Sequence, residues 1–154
     1  MQGDDPNDTR GGASVSFDPL STALLSLDQS SASRARVLVV DPDVRFGLLL
    51  KGFLETRGWG ALWVSDGRKA LRDWDRLRPD VVVTELDGED LDGFEFISAV
   101  RRRQSTLPIV VCTRLAGAGQ WTPSDRRALG VEAVLVRPLQ FLQLHSTLEG
   151  VLAA

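Results

Sequence analysis

The chain of 154 residues has one cysteine, Cys112, one histidine, His145, and only two lysines, Lys51 and Lys69. A lone cysteine excludes an internal disulfide framework. Its place inside the apolar run PIVVCT reads as a buried, inert thiol. No apolar run approaches the ~18 residues of a membrane span. The opening MQGDDPNDTRGG is acidic and polar where a secretory leader is basic and then apolar, so a cytoplasmic protein is expected. Positive charge is not in excess either. A net charge of −3 gives no electrostatic footing for nucleic-acid binding. The arginines at 101–103 close a helical segment, where cations offset the negative end of the helix dipole. His145 lies in the last helical segment, far from any strand end, and reads as a packing or surface histidine.

What is present belongs to a globular chain. A hydrophobic fraction of 43% beside 25% charged residues is enough to build one core without staples. Residues 1–34 are rich in Gly, Ser, Asp and Asn and are expected to be a largely disordered tail. One stretch in the tail differs. In FDPLSTALLSLD, Asp18 can cap a helix with Pro19 at its first position, and Leu20, Leu24 and Leu27 share a face. A short helix over 19–28 would lie on the domain or dock on a partner.

The folded domain is expected over 35–154, where strand and helix alternate. RVLVV (36–40) is a continuous apolar run, as in a central parallel strand covered on both faces. Asp43 caps the next helix, with Phe46, Leu49, Leu50, Phe53 and Leu54 at helical spacing and Gly58 as the stop. ALWV (61–64) is a second strand. Asp66-Gly67 turns into a helix carrying Ala70, Leu71, Trp74 and Leu77, which Pro79 ends. VVVTE (81–85) is the third strand, and Gly93 opens a helix with Phe94, Ile97 and Val100 inward. PIVVCT (108–113) is the fourth. Thr122, Pro123, Asp125 and Gly130 then mark the start and stop of a helix. EAVLV (132–136) is the fifth strand, and Gln140 to about Leu152 the last helix. Such alternation with short connections makes a parallel sheet between two layers of helices, whose working site lies at the carboxyl ends of the strands. Asp41, Glu85, Thr113 and Arg137 stand at those ends.

Several ordered segments carry a resemblance. VLVVDPD, DGRKAL, RPDVVVTELDGEDLDGFEF with Gly93 eight residues after Glu85, LPIVVCT and LVRPL resemble the receiver domain of two-component response regulators, the CheY-like family. The resemblance implies a flavodoxin-like α/β fold: a five-stranded parallel sheet of order 2-1-3-4-5 with helices on both faces. In that family an aspartate takes a phosphoryl group from a histidine kinase. A magnesium ion sits on that aspartate and an acidic pair, and a hydroxyl and a lysine bind the phosphoryl oxygens.

Laid on this sequence, the acidic pair falls on Asp41 and Pro42, the acceptor on Glu85, the hydroxyl on Thr113 and the lysine on Arg137. The aromatic switch position falls on Val134. Proline offers a metal no side-chain oxygen, and a hard cation needs oxygen ligands in near-octahedral geometry. Glutamate carries its carboxylate ~1.5 Å further out, and a misplacement of ~1 Å can cost on the order of a hundredfold in rate. The transition state relies on the cation to spread its charge. Arginine trades a point charge for a rigid fork. The expectation is a stand-alone pseudo-receiver: not an enzyme, with no cofactor, acting as a phosphorylation-independent protein-interaction module in bacterial signalling. The alternative is a phosphorylatable single-domain regulator with divergent site residues, where Mg2+ would sit on Asp41 and Glu85. Asp87 and Asp43 are the other acids near enough to serve it, though each has a plainer role as loop residue and helix cap.

Three readings of Glu85 stay open: half of an ion pair with Arg137, a permanent stand-in for a phosphorylated aspartate, or a remnant of phosphate or metal chemistry. The resemblance puts the partner surface on the face made by receiver helix four, strand five and helix five (123–129, 132–136 and 140–152). Trp121 borders that face and Trp63 lies on an edge strand; an exposed tryptophan is a favoured interface anchor, with packed-down rings as the plainer reading.

Overall fold

A computed structural model describes residues 19–28, 35–88, 91–114 and 122–154. Within them five strands, β1 (Arg36–Val40), β2 (Gly60–Val64), β3 (Val81–Thr84), β4 (Ile109–Thr113) and β5 (Ala133–Val136), form one parallel sheet of order β2-β1-β3-β4-β5. The helices are α1 (Pro19–Asp28), α2 (Val44–Thr56), α3 (Gly67–Arg72), α4 (Trp74–Leu77), α5 (Gly93–Arg103), α6 (Pro123–Leu129) and α7 (Phe141–Ala153).

Strand alternation splits the core in two, since successive side chains leave opposite faces of a sheet. Val37, Val39, Val81, Val83, Val110 and Cys112 meet α2 and α7 through Leu50, Leu54, Leu144 and Leu148. Leu38, Val40, Val82, Ile109 and Val111 meet α3, α4 and α5 through Ala70, Trp74, Leu77, Phe96, Ile97 and Val100. The sheet is thus covered on both faces, the flavodoxin-like arrangement of the CheY-like fold.

Local signals set most of the boundaries. Asp43 accepts from the Phe46 amide at 3.1 Å and caps α2; Gly58 leaves it at φ 85°. Thr122 and Asp125 make a reciprocal capping box on α6, and Gly130 ends it in the left-handed region. Three details differ from expectation. The helix expected over 67–77 breaks at Asp73 into α3 and α4. On α5, Phe94 points outward at 43% exposure while Phe96 is buried. Positions 93, 96, 97 and 100 make the inward stripe, and residue 94 lies about 100° off it. Leu49 is 61% exposed for the same reason.

The tail helix is present: α1 lays Leu20, Ala23 and Leu24 on the core layer that contains α4. Asp18, the rest of the expected tail and Trp121 lie outside the described residues. No helix among the described residues is long and apolar enough to cross a membrane.

Candidate functional site

Four side chains meet at the carboxyl edge of the sheet because four strands end there in register. Val40 pairs with Thr84, so Asp41 and Glu85 leave adjacent strands at one level. Thr113 pairs with Val136, placing Arg137 one residue beyond, and the Arg137 amide donates to the Thr113 carbonyl at 2.9 Å. Asp41, Glu85 and Thr113 are all buried, at 1%, 3% and 0% exposure. The Arg137–Pro138 peptide is cis.

Glu85 does not simply pair with Arg137. Its Oε1 accepts from the Leu86 amide at 2.7 Å and the Asp87 amide at 3.3 Å. Its Oε2 accepts from the Arg114 amide at 3.1 Å, across from the β4 exit. The extra methylene lets the carboxylate curl back over its own strand end, into a pocket of backbone N–H groups drawn from two loops. Arg137 Nη2 is 3.8 Å from Oε2, at the margin of an ion pair.

The guanidinium sits instead on Asp41, with Nη2 hydrogen-bonded to Oδ2. Asp41 Oδ1 accepts from the Asp43 amide at 2.8 Å. The Phe46 ring lies under the guanidinium, 3.5 Å from Cζ, an attractive arrangement for a cation over a ring face. Arg137 Nε is buried without a hydrogen-bond partner. Burial holds the Asp41 carboxyl above its ordinary value of 3.8; hydrogen bonds from Arg137 and the Asp43 amide oppose that rise without cancelling it. Burial likewise pushes the Cys112 thiol up to about 12, as its inert role requires.

The other positions singled out in the sequence divide. Pro42 lines the site but presents only its ring. Val134 is half-buried against the layer of α3–α5. Trp63 donates its indole N–H to the Asp41 carbonyl at 3.0 Å, and its ring packs over Gly47, where a Cβ would come within 2.1 Å of it. Trp59 and Trp74 are also tied down, to His145 Nδ1 at 3.0 Å and Gln104 Oε1 at 3.2 Å. Asp87 is exposed and, with Pro42, Asp43, Gly88 and Arg114, lines an open cleft of about 270 Å³. Sequence reasoning missed the three amides on Glu85 and the Phe46 face. Backbone N–H groups carry no side-chain signal, and Phe46 reads from its spacing as core.

The residues present do not fit a hydrated divalent cation. Pro42 has no side-chain oxygen to give, both Asp41 carboxylate oxygens are engaged, and the Glu85 carboxylate oxygens face amides. The space between Pro42, Asp66, Thr84, Glu85, Asp87 and Phe96 is about 10 Å³, room for about one water. Magnesium keeps several waters in an octahedral shell. Among the described residues no cluster of three or more His, Cys, Asp or Glu side chains is placed to hold a metal.

A doubly wound parallel sheet, with acids, a buried threonine and a cation meeting at its carboxyl edge, defines the receiver class of signalling domains. The chain belongs to the response regulator receiver domain family, which it matches over residues 37–149, and so to the proteins of two-component signalling. It is similar to the transcriptional regulatory protein PrrA of Mycobacterium leprae, with 29% identity over 80% of this chain and 52% of PrrA. It is also similar to the transcriptional regulatory protein TrcR of Mycobacterium tuberculosis, with 27% identity over 82% of this chain and 48% of TrcR. The chain thus spans about half the length of these curated relatives. Among solved structures, the chemotaxis response regulator CheY4 of Vibrio cholerae superposes with a TM-score of 0.68 at 28% identity, over 77% of this chain and 99% of that one.

Proposed function

We propose that this chain is a pseudo-receiver, a receiver fold that has lost phosphotransfer and signals by binding protein partners, with no catalysis and no bound Mg2+. The carrying observation is that the protein's own groups fill both halves of the site. The Glu85 carboxylate takes three backbone N–H donors, and the Arg137 guanidinium takes Asp41. A nucleophile needs a lone pair aimed at phosphorus, and Glu85 is 3% exposed with three of its roughly four lone-pair sites taken by backbone N–H groups. Arg137 brings the positive charge a metal would bring, fixed to the chain. Glu85 then acts as a fixed acceptor in its pocket, which favours one settled arrangement of the loops after β3 and β4.

The partner surface in this reading is the face of α6, β5 and α7. None of the α6 residues is buried, and β5 residues are half-buried or, at Val136, 38% exposed. Leu142 adds an apolar side chain at 55% exposure.

A second reading keeps phosphorylation and moves it to Asp87, which the open cleft beside Pro42 and Arg114 favours. Incubation with acetyl phosphate and Mg2+, read by intact mass, separates the two. The pseudo-receiver gains no phosphoryl group. A gain lost in Glu85→Ala sinks that reading, and a gain lost only in Asp87→Ala establishes the second.

A further inference from the structure

The placement of α1 carries an inference independent of the phosphotransfer question. β2 is an edge strand, hydrogen-bonded only to β1 among the described residues, yet Ala61, Leu62 and Val64 are buried. α1 supplies part of the cover: it touches β2, and its Leu20, Ala23 and Leu24 join the layer of Leu62, Val64, Trp74 and Leu77. These three residues fall at i, i+3 and i+4, one face of a helix. A polar contact fixes the position along the groove, where Arg76 Nη2 of α4 donates to Ser21 Oγ at 2.8 Å.

α1 is ten residues long, shorter than the ~12–15 at which isolated helices become even marginal in water. Its helicity therefore depends on the groove, so that folding and docking are one event. Only residues 29–34 separate it from the domain. A short tether gives an effective concentration of order millimolar, which holds a weak ligand in place without making it part of the core.

We propose that the groove between β2 and α4 is a helix-docking site and that α1 is its resident occupant in cis. When α1 leaves, the groove accepts a short amphipathic helix in trans. The partner chemistry follows from what α1 presents: leucine at i and i+4, a small residue at i+3, and a hydroxyl beside the first leucine for Arg76.

The test uses the full chain and a labelled peptide of residues 17–30. In Leu20→Asp/Leu24→Asp the tethered helix is disabled while the groove is untouched. Fluorescence anisotropy is expected to show saturable peptide binding to this variant and at least tenfold weaker binding to the wild type. A peptide carrying the same two aspartates binds neither, and adding Arg76→Ala weakens binding to the variant. A variant that stays folded but takes no peptide overturns the docking site. Equal binding to both proteins overturns the cis occupant. Loss of cooperative urea unfolding in the variant makes α1 a core element and overturns its being detachable.

Discussion

Arg137 is one cation between two buried carboxylates, and the arrangement has a direction that can be measured. Taking charges out of water is costly, and removing one partner of a buried pair strands the other, at about 3–5 kcal/mol. Arg137→Met should therefore destabilise by that order at neutral pH, read from urea midpoints. The pH dependence follows from Asp41. Burial already holds its carboxyl above 3.8 in the folded protein, and the methionine removes both influences of Arg137 that pull it down. Between 3.8 and the raised value the folded state then binds more protons than the unfolded state, so stability falls as pH rises through that window. The deficit of Arg137→Met should be largest at neutral pH and shrink on acidification; a deficit independent of pH would contradict the stranded carboxylate. At this scale the sequence was legible in kind more than in pairing. Asp41, Glu85, Thr113 and Arg137 could be placed at strand ends from their positions after apolar runs. That Arg137 chooses Asp41 over Glu85 could not, because backbone amides satisfy Glu85 and no residue code announces them.

Glycines show how closely the elements are fitted around that edge. Gly93 opens α5 eight residues after Glu85, and a Cβ there would lie 2.4 Å from both the Glu85 carbonyl oxygen and Leu86 Cα. Those are backbone atoms at the turn that carries the Glu85 pocket, so no side chain can swing aside. Gly93→Ala is expected to cost about 1–3 kcal/mol in chemical denaturation; a neutral effect would mean that the β3 exit gives way freely. Element order, type and most ends were readable here because caps and stops are local chemistry: Asp43, Gly58, Thr122 and Gly130 act on their nearest neighbours. Helix phase was less secure. In α5 both 94 and 96 are phenylalanine, and only docking on Leu86 and the sheet selects Phe96. The break at Asp73 had no sequence signal, since neither glycine nor proline marks it.

The whole molecule keeps a receiver's frame while the groups at its working edge have turned to one another. The frame was legible because order, spacing and apolar runs survive substitution at a few polar positions. The proposed loss of phosphotransfer rests on three of them, Pro42, Glu85 and Arg137, each of which changes a ligand, a reach or a donor geometry. In the proposed reading, signalling passes through surface: the face of α6, β5 and α7, and the groove that α1 covers. The curated relatives, of which the matched segment makes up about half, are transcriptional regulators, so the receiver there is one part of a larger protein.

The central claim is that tethered groups hold the places of the metal and the phosphoryl anion. It is tested most directly by titrating Mg2+ while following tryptophan fluorescence, since the Trp63 indole N–H bonds to the backbone of Asp41 itself. The wild type should show no saturable change, whereas Pro42→Asp/Glu85→Asp/Arg137→Lys, which rebuilds the ligand set, should show one. Saturable binding to the wild type that is lost in Glu85→Ala would contradict the account.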